Sequence, residues 1–354
     1  MDRKKEQNVD ELLNELSLDD SFVMGYYGGG NYGDELLFEV LQNIFLACGY
    51  HTISFLYQKP HDFSKHHKYL GYEAVDSSSK LKVLQTILKR KNIIIGGGGL
   101  WGLDVNANVL LMSVMLFVSR WLMGKDVYLL GVGYYGSTTR MGRFAAWLAG
   151  KSATRILARD DESFDNFSRL NRQTYRSDDI AFLLPRIHED VNGDLRRLDK
   201  IIGPKAKHTV MVSVRRFKPS QQNPYVSALE KWLLAYDKTP VILALMEPKE
   251  VDPDGYALLK RWQRQRTHVT VIDFDYNPVA LYRFFEKHRK NLSYIGPQFH
   301  VQLVAHLAGV RLFPLVYDNK VAELLSSLSY ENRVAIADVT ADELTQFASN
   351  TRSV

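Results

Sequence analysis

The chain reads as an α/β protein built of two Rossmann-like parallel-sheet domains, and three observations lead there. Short strand-like runs alternate with helix-length segments throughout, the pattern of parallel strands joined by crossover helices. The run Ile93-Ile94-Ile95 is apolar at consecutive positions, as in a strand covered on both faces. Glycines cluster where such runs end, at Gly25–Gly33 and again at Gly96–Gly99. With 354 residues the chain is long enough for two domains of ordinary size.

Composition narrows the function classes. Apolar residues make up 45% and charged ones 24%, as in a globular protein and unlike a disordered one. The net charge of +5 is spread along the chain, with no Lys/Arg block, finger spacing or aromatic RNA-reading motif. Nucleic acid is therefore not an expected partner. The positive excess fits an anionic small substrate or peripheral attraction to an anionic membrane face. One cysteine, Cys48, excludes a disulfide framework and a cysteine-based metal site, and is expected as a small buried side chain. Met1 to Asp20 is too polar for a secretion signal. The most apolar run, Val109 to Val118, falls short of the ~20 residues that span a bilayer. The expectation is a cytoplasmic protein.

In order, residues 1–20 are expected as an amphipathic helical segment carrying Val9, Leu12, Leu13 and Leu16. The first domain covers 21–185. Its strands are expected at 21–24, 51–57, 92–95, 127–133, 155–159 and 174–184, and its helices at 36–48, 81–88, 106–123, 140–149 and 163–170. Between them, 61–79 reads as a polar loop, and its His61, His66 and His67 lack the spacing of a zinc site. Residues 186–207, charged and containing a Gly-Pro pair, are the expected linker. The second domain, 208–354, repeats the pattern. Strands are expected at 209–216, 240–246, 269–273, 291–296, 312–316 and 333–337. The helices between and after them fall at 225–236, 256–265, 279–288 and 297–309, then from 320 to 328 and over 340–349.

The first glycine stretch follows a strand and opens a helix, the arrangement that aims backbone N–H groups at an anion. Gly28-x-Gly30-x-x-Gly33 even satisfies the dinucleotide fingerprint literally. The acidic residue that should hold a ribose ~20 positions on is missing, because 51–57 contains no carboxylate. Asp34 and Glu35 at the helix start also disfavour a pyrophosphate there. The loop is therefore not read as a cradle for a pyrophosphate.

Three groups in the second domain could do chemistry. Arg215 and Arg216 follow its first strand, and a guanidinium there suits a carboxylate or phosphate. His300 falls in the first turn of a helix that Pro297 opens at an N1-like position, fit for acid–base work beside an anion. Tyr317 to Lys320 again follow a strand. In open α/β sheets ligands bind at such carboxyl ends.

With these segments in order, the chain resembles the polysaccharide pyruvyl transferase family from residue 24 to about 328. The resemblance rests on Gly25-Tyr26-Tyr27-Gly28-Gly29-Gly30-Asn31-Tyr32-Gly33-Asp34-Glu35, Ile95-Gly96-Gly97-Gly98-Gly99-Leu100 and Leu130-Gly131-Val132-Gly133. It continues through Ala158-Arg159-Asp160-Asp161-Glu162-Ser163, Asp179-Ile180-Ala181-Phe182, Ser213-Val214-Arg215-Arg216, His300 to Gly309 and Tyr317-Asp318-Asn319-Lys320.

The resemblance implies a GT-B-like fold with the active site in a cleft between domains. It implies transfer of the enolpyruvyl unit of phosphoenolpyruvate to a hexose, usually closing a cyclic ketal, with phosphate released. The saccharide acceptor could be lipid- or nucleotide-linked, and no metal or organic cofactor is implied. His300 matches the family histidine, and Arg215 or Arg216 a donor-holding arginine; Gln298, Phe299 and Lys320 fall on the same donor side. Gly28, Gly29, Gly30, Asn31, Gly33, Asp34, Gly97, Gly98 and Arg159 fall on the acceptor or cleft side, where the bare backbone of the first loop, Asn31 and Asp34 would meet sugar hydroxyls. One departure stands out. The family usually has Arg-Leu-His where this chain has Gln298-Phe299-His300, and a neutral amide cannot form the charged fork. Either Arg216, Lys320 or Arg311 substitutes, or the donor binds weakly, or the donor differs. Two rivals stay open: a nucleotide-sugar glycosyltransferase, for which Glu323 is a candidate nucleotide-holding acid, and a family member that binds without catalysis. The oligomeric state is not legible.

Overall fold

The computed structural model describes residues 6–16, 18–58, 72–102, 105–202, 207–214, 219–236, 239–273 and 277–350. Its contacts divide the chain into two units, Met1–Gly29 with Asp34–His188, and Gly30–Gly33 with Glu189–Val354. The histidines at 61, 66 and 67 lie outside the described residues, as do Arg215 and Arg216.

The first unit contains α1 (Val9–Glu15), β1 (Ser21–Met24), α2 (Tyr32–Ala47), β2 (Ile53–Tyr57), β3 (Glu73–Asp76), α3 (Lys80–Lys89) and β4 (Asn92–Trp101). It continues with α4 (Ala107–Trp121), β5 (Asp126–Tyr134), α5 (Arg140–Ser152), β6 (Arg155–Ala158), α6 (Asp161–Ser168), β7 (Thr174–Arg176) and a 3-10 helix, Ile180–Arg186. All seven strands are parallel, in the order β3-β2-β1-β4-β5-β6-β7. The order reverses between β1 and β4, whose register pairs Val23 with Ile94 and Met24 with Ile95. Ile93, Ile94 and Ile95 are fully buried, as their consecutive apolar pattern requires. One core cluster joins Val83 and Ile87 of α3, Val109 and Leu116 of α4, and Ala145, Ala146 and Ala149 of α5 to one face of the sheet. Side-chain caps set the starts of α4 and α5: Asn106 accepts from the N–H groups of Asn108 and Val109, and Thr139 from that of Gly142.

The second unit contains α7 (Asn192–Asp199), β8 (Thr209–Ser213), α8 (Pro219–Ala235), β9 (Val241–Ala244), α9 (Pro253–Gln265), β10 (Val269–Ile272) and α10 (Pro278–His288). Then follow β11 (Leu292–Gly296), α11 (Phe299–Leu307), β12 (Arg311–Val316), α12 (Asn319–Ser327), β13 (Val334–Ala335) and α13 (Ala341–Ser349). The order β10-β9-β8-β11-β12-β13 is parallel throughout and reverses between β8 and β11. Trp232, Trp262 and Tyr225 fill its core beside β8 and β9.

Several elements depart from the sequence reading. β3 lies where a loop is expected, a short and mostly half-buried strand with weak apolar patterning. β4 does not stop before the glycines but runs through them, pairing Gly96 with Leu130 and Gly98 with Val132. β7 ends at Arg176 instead of 184, because the Asp179 carboxylate accepts from Ala181 N and caps the 3-10 helix. The expected linker contains α7, which is tied to α10. Asp194 accepts from the Asn277 N–H at 2.9 Å, and Asp199 takes Lys287 at 2.6 Å and His288 at 2.8 Å. The charges that suggested a solvated linker are thus partners of a neighbouring helix. Cys48 is half-buried in the turn after α2.

Candidate active site

In the first unit the carboxyl ends of β1 and β4 meet at the strand-order reversal, where ligands bind in this topology. The glycines there do two different things. A side chain at Gly96 would overlap Leu41 of α2 and the Tyr27 hydroxyl, which itself donates to the Gly96 carbonyl at 2.6 Å. Gly97, at φ +79°, faces Leu37 of α2 in the same way. Both let the helix approach the strand. Gly98, at φ +88°, is less crowded, with Leu100 and the Asp34 carboxylate as its nearest neighbours, 3.6 and 4.0 Å from a built Cβ. Gly28, at φ +79°, turns the first loop back so that Gln58 N donates to Tyr27 O at 2.7 Å. A side chain at Gly29 would come within 3.3 Å of the Tyr26 carbonyl oxygen. Asp34 lies half-buried in the first turn of α2. Burial, helped by the Asp34 charge, raises the pKa of Tyr26 and pushes that of Tyr27 well above its ordinary value.

Arg159 departs from a ligand-facing cation. Its side chain is only 3% exposed, bound to Asp179 at 2.7 Å and to the Tyr135 hydroxyl at 2.9 and 2.7 Å, while Tyr135 donates to Asp160 at 2.7 Å. Burial alone would lower its pKa, but Tyr135, Asp179 and Asp160 outweigh that and hold it raised. Asp160 also caps α6 through Ser163 N at 2.7 Å. The network therefore locks the carboxyl ends of β5, β6 and β7 to the helices that follow. Tyr135 was not singled out in the sequence, and its only signal there was a second tyrosine after a strand-ending glycine.

In the second unit the corresponding reversal lies between β8 and β11. Gln298 caps α11 positionally, with Pro297 one residue before it and not at N1. The Gln298 side chain makes no capping bond. Its oxygen accepts from the Ser213 hydroxyl and, at 3.2 Å, from the Tyr294 hydroxyl, and its NH2 donates to Val214 O at 2.8 Å. Ser213 and Tyr294 also bond each other at 2.6 Å, and a side chain at Gly296 would overlap both. The Gln298 amide is thus a staple between the two central strands. Ser213 and Tyr294 are a cluster that sequence reasoning missed, visible only as polar residues inside apolar strands.

His300 follows at the second residue of α11, half-buried, its ring edge-on to Phe299 at 5.0 Å between centroids. Residues 30–33 group with this unit. A side chain at Gly33 would overlap the His300 imidazole. Asn31 accepts from Gly33 N at 3.0 Å and donates to Glu247 at 3.3 Å, and Tyr32 N donates to Met246 O at 3.1 Å. Gly30, at φ +83°, sets the turn that brings them there. The structure therefore gathers Gly33, Asn31, Phe299 and His300 at the carboxyl end of β11. Lys320 sits at the start of α12, 3.4 Å from Asp318 and over the Tyr317 ring. Arg311 cannot substitute for the missing arginine there. It opens β12 at the opposite end of the sheet, bound to Ser293 and to the Phe347 carbonyl. Glu323 lies half-buried in the second turn of α12. Among the described residues no three His, Cys, Asp or Glu side chains are grouped to hold a metal ion.

Residues 31–319 match the family described as polysaccharide pyruvyl transferase. The chain belongs to the polysaccharide pyruvyl transferase family. It is accordingly a transferase of polysaccharide biosynthesis. No curated protein matches the chain significantly. Solved structures share the fold at low identity. A UDP-GlcNAc 2-epimerase of Methanocaldococcus jannaschii, in complex with UDP-GlcNAc and UDP, has a TM-score of 0.58 at 12% identity, covering 94% of this chain and 93% of its own. Anabaena HepE, in complex with UDP and glucose, has 0.57 at 14%, covering 94% and 92%. The Escherichia coli ADP-heptose heptosyltransferase II has 0.53 at 10%, covering 94% and 98%. This pyruvyl transferase family member thus has a GT-B-like fold of two parallel-sheet α/β domains.

Proposed function

We propose that the protein transfers the enolpyruvyl unit of phosphoenolpyruvate to two hydroxyls of a hexose in a surface polysaccharide or its precursor, forming a pyruvate ketal and releasing phosphate. The observation that carries this reading is His300, placed in the first turn of α11 at the strand-order reversal of a pyruvyl transferase family chain. A helix N-terminus favours an anion, and the donor is an anion that must be protonated to react.

His300, as imidazolium, gives a proton to the donor methylene, and the carbon bearing the phosphate becomes oxocarbenium-like. A sugar hydroxyl adds to that carbon and loses its proton to the imidazole. Phosphate then leaves with its bonding electrons, and the second hydroxyl closes the ketal, its proton passing to the departing phosphate. Arg215 and Arg216, with Lys320, are the proposed holders of carboxylate and phosphate. Gln298 contributes by stapling β8 to β11 rather than by charge, and Phe299 by bracing the imidazole. Asn31 and Asp34 are proposed to meet acceptor hydroxyls over the bare backbone of Gly29, Gly30 and Gly98.

Phosphate release from phosphoenolpyruvate, measured over a panel of glycans, tests this. General acid–base catalysis contributes ~10²–10⁴-fold, so His300→Ala is expected to lower kcat by about that much while the fold persists. Absence of release from every glycan, with no difference in the variant, sinks the proposal. The rival reading, a nucleotide-sugar transferase, draws on the fold shared with UDP-bound HepE and on the neutral Gln298. It predicts a thermal shift with nucleotide-sugars and none with phosphoenolpyruvate.

A further inference from the structure

Twelve large apolar side chains are exposed among the described residues, and ten of them lie in residues 81–147, on or just after α3, α4 and α5. These three helices cover the same face of the first sheet, so their outward sides form one surface. Leu81, Leu84 and Leu88 share a stripe of α3 opposite its buried Val83 and Ile87. Trp121 of α4 is 60% exposed, and the adjoining Leu122 is 77% exposed. Phe117 of α4 stacks on Trp147 of α5 at 6.4 Å and bridges the two helices, and within α5 Phe144 stacks on the same Trp147 at 5.9 Å. An apolar surface of this extent on one side of a protein marks an interaction site.

Its charge says with what. Residues 80–152 contain ten Lys or Arg and only two acids, Asp104 and Asp126. Asp126 is taken by Arg120 at 2.9 Å. Lys82 reaches Glu73 at 3.8 Å, and Arg90 is buried against Asp20 and Glu73. Among the described residues Lys89, Lys91, Arg140 and Lys151 are exposed and form no ion pair. On α5, Arg140, Phe144, Trp147 and Lys151 follow one another at i, i+4, i+7 and i+11, so the cations stand in the aromatic stripe itself. Two copies of such a face would meet with like charges opposed. An anionic lipid surface complements it, with phosphates for the lysines and arginines, and an interfacial layer for the indoles and leucines.

We propose that the α3–α4–α5 face docks the protein peripherally on an anionic lipid bilayer. No helix among the described residues is long and apolar enough to cross a membrane, so the contact lies in the interface. Lys80 and Leu111 of this face also line a cavity of ≈260 Å3 floored by Leu56, Met112 and Met115 and bounded by Gly25 and Tyr26. Resting on the proposed function, this places a lipid-linked acceptor within reach from the bilayer. Docking itself does not depend on that reading, because vesicle binding needs no transfer chemistry.

The test is sedimentation of the full chain with extruded vesicles of phosphatidylglycerol and phosphatidylcholine, against phosphatidylcholine alone, with tryptophan emission followed in parallel. Binding to the anionic vesicles, weakened by salt and accompanied by a blue shift, is expected. About 1 kcal/mol per basic residue near an anionic leaflet corresponds to ~5-fold in partitioning. The exposed double variant Lys89→Glu, Lys91→Glu is therefore expected to bind at least ~10-fold more weakly with its melting temperature kept. Trp121→Ala should remove part of the blue shift. The proposal is overturned by wild-type protein that stays in the supernatant, or by binding that both variants retain. Dimerisation abolished by Trp121→Ala without vesicle binding would reassign the face to a second copy and overturn it equally.

Discussion

The two units share the order of six strands, the first adding a seventh at its edge, and differ in what stands at the carboxyl ends of those strands. In the first, a buried guanidinium with two carboxylates and a tyrosine holds strands β5 to β7 to their following helices, and glycines bring α2 against β4. In the second, the join is neutral, an amide shared among two hydroxyls and a carbonyl, with an imidazole just beyond it. Topology sets where a site can be, and the residues at the strand ends set what it can do. A charged network that is internally neutralised serves as scaffold. The imidazole of His300 stands on the other unit, where the proposed reaction needs a proton carrier.

The comparison can be broken at its charged side first. Arg159→Leu leaves Asp179 buried without its guanidinium, and removing one partner of a buried pair costs about 3–5 kcal/mol. Urea unfolding should show a loss of that size; a change below about 1 kcal/mol would mean the network does not hold the strand ends. Next is Gly96→Ala, where the added methyl must displace Leu41 or Tyr27. Overpacking of this kind costs about 1–3 kcal/mol, and a melting temperature equal to that of the parent would refute the close approach of α2 to β4. The smallest effect is expected on the neutral side. Gln298→Ala removes the staple while Ser213 and Tyr294 still satisfy each other, so the loss should be about 1 kcal/mol. A much larger loss there, or a collapse of donor affinity without loss of stability, would show that the amide meets the donor directly.

Much of this was legible in the residues themselves. Ile93 to Ile95 could only be a strand buried on both faces. His300 and the glycine motifs were found because their types and order are specific. What escaped were weakly patterned elements and partnerships across long sequence separations. β3 has one fully buried side chain, Val75, too little for an alternation to show. α7 looked like a linker because its charges are answered by α10, some 90 residues away.

The glycine stretches mark the limit of both kinds of reading. Sequence by itself determined that two parallel α/β sheets form, that glycines crowd their strand ends, and that a histidine begins a helix in the second. Those features depend on local pattern, which neighbouring residues carry. Only the tertiary structure decided that Gly96 serves packing, that Gly33 makes room for His300, that Arg159 is enclosed by Asp179 and Tyr135, and that Gln298 joins two strands. Each of these depends on which distant side chain arrives within contact, and that follows from the folded chain as a whole.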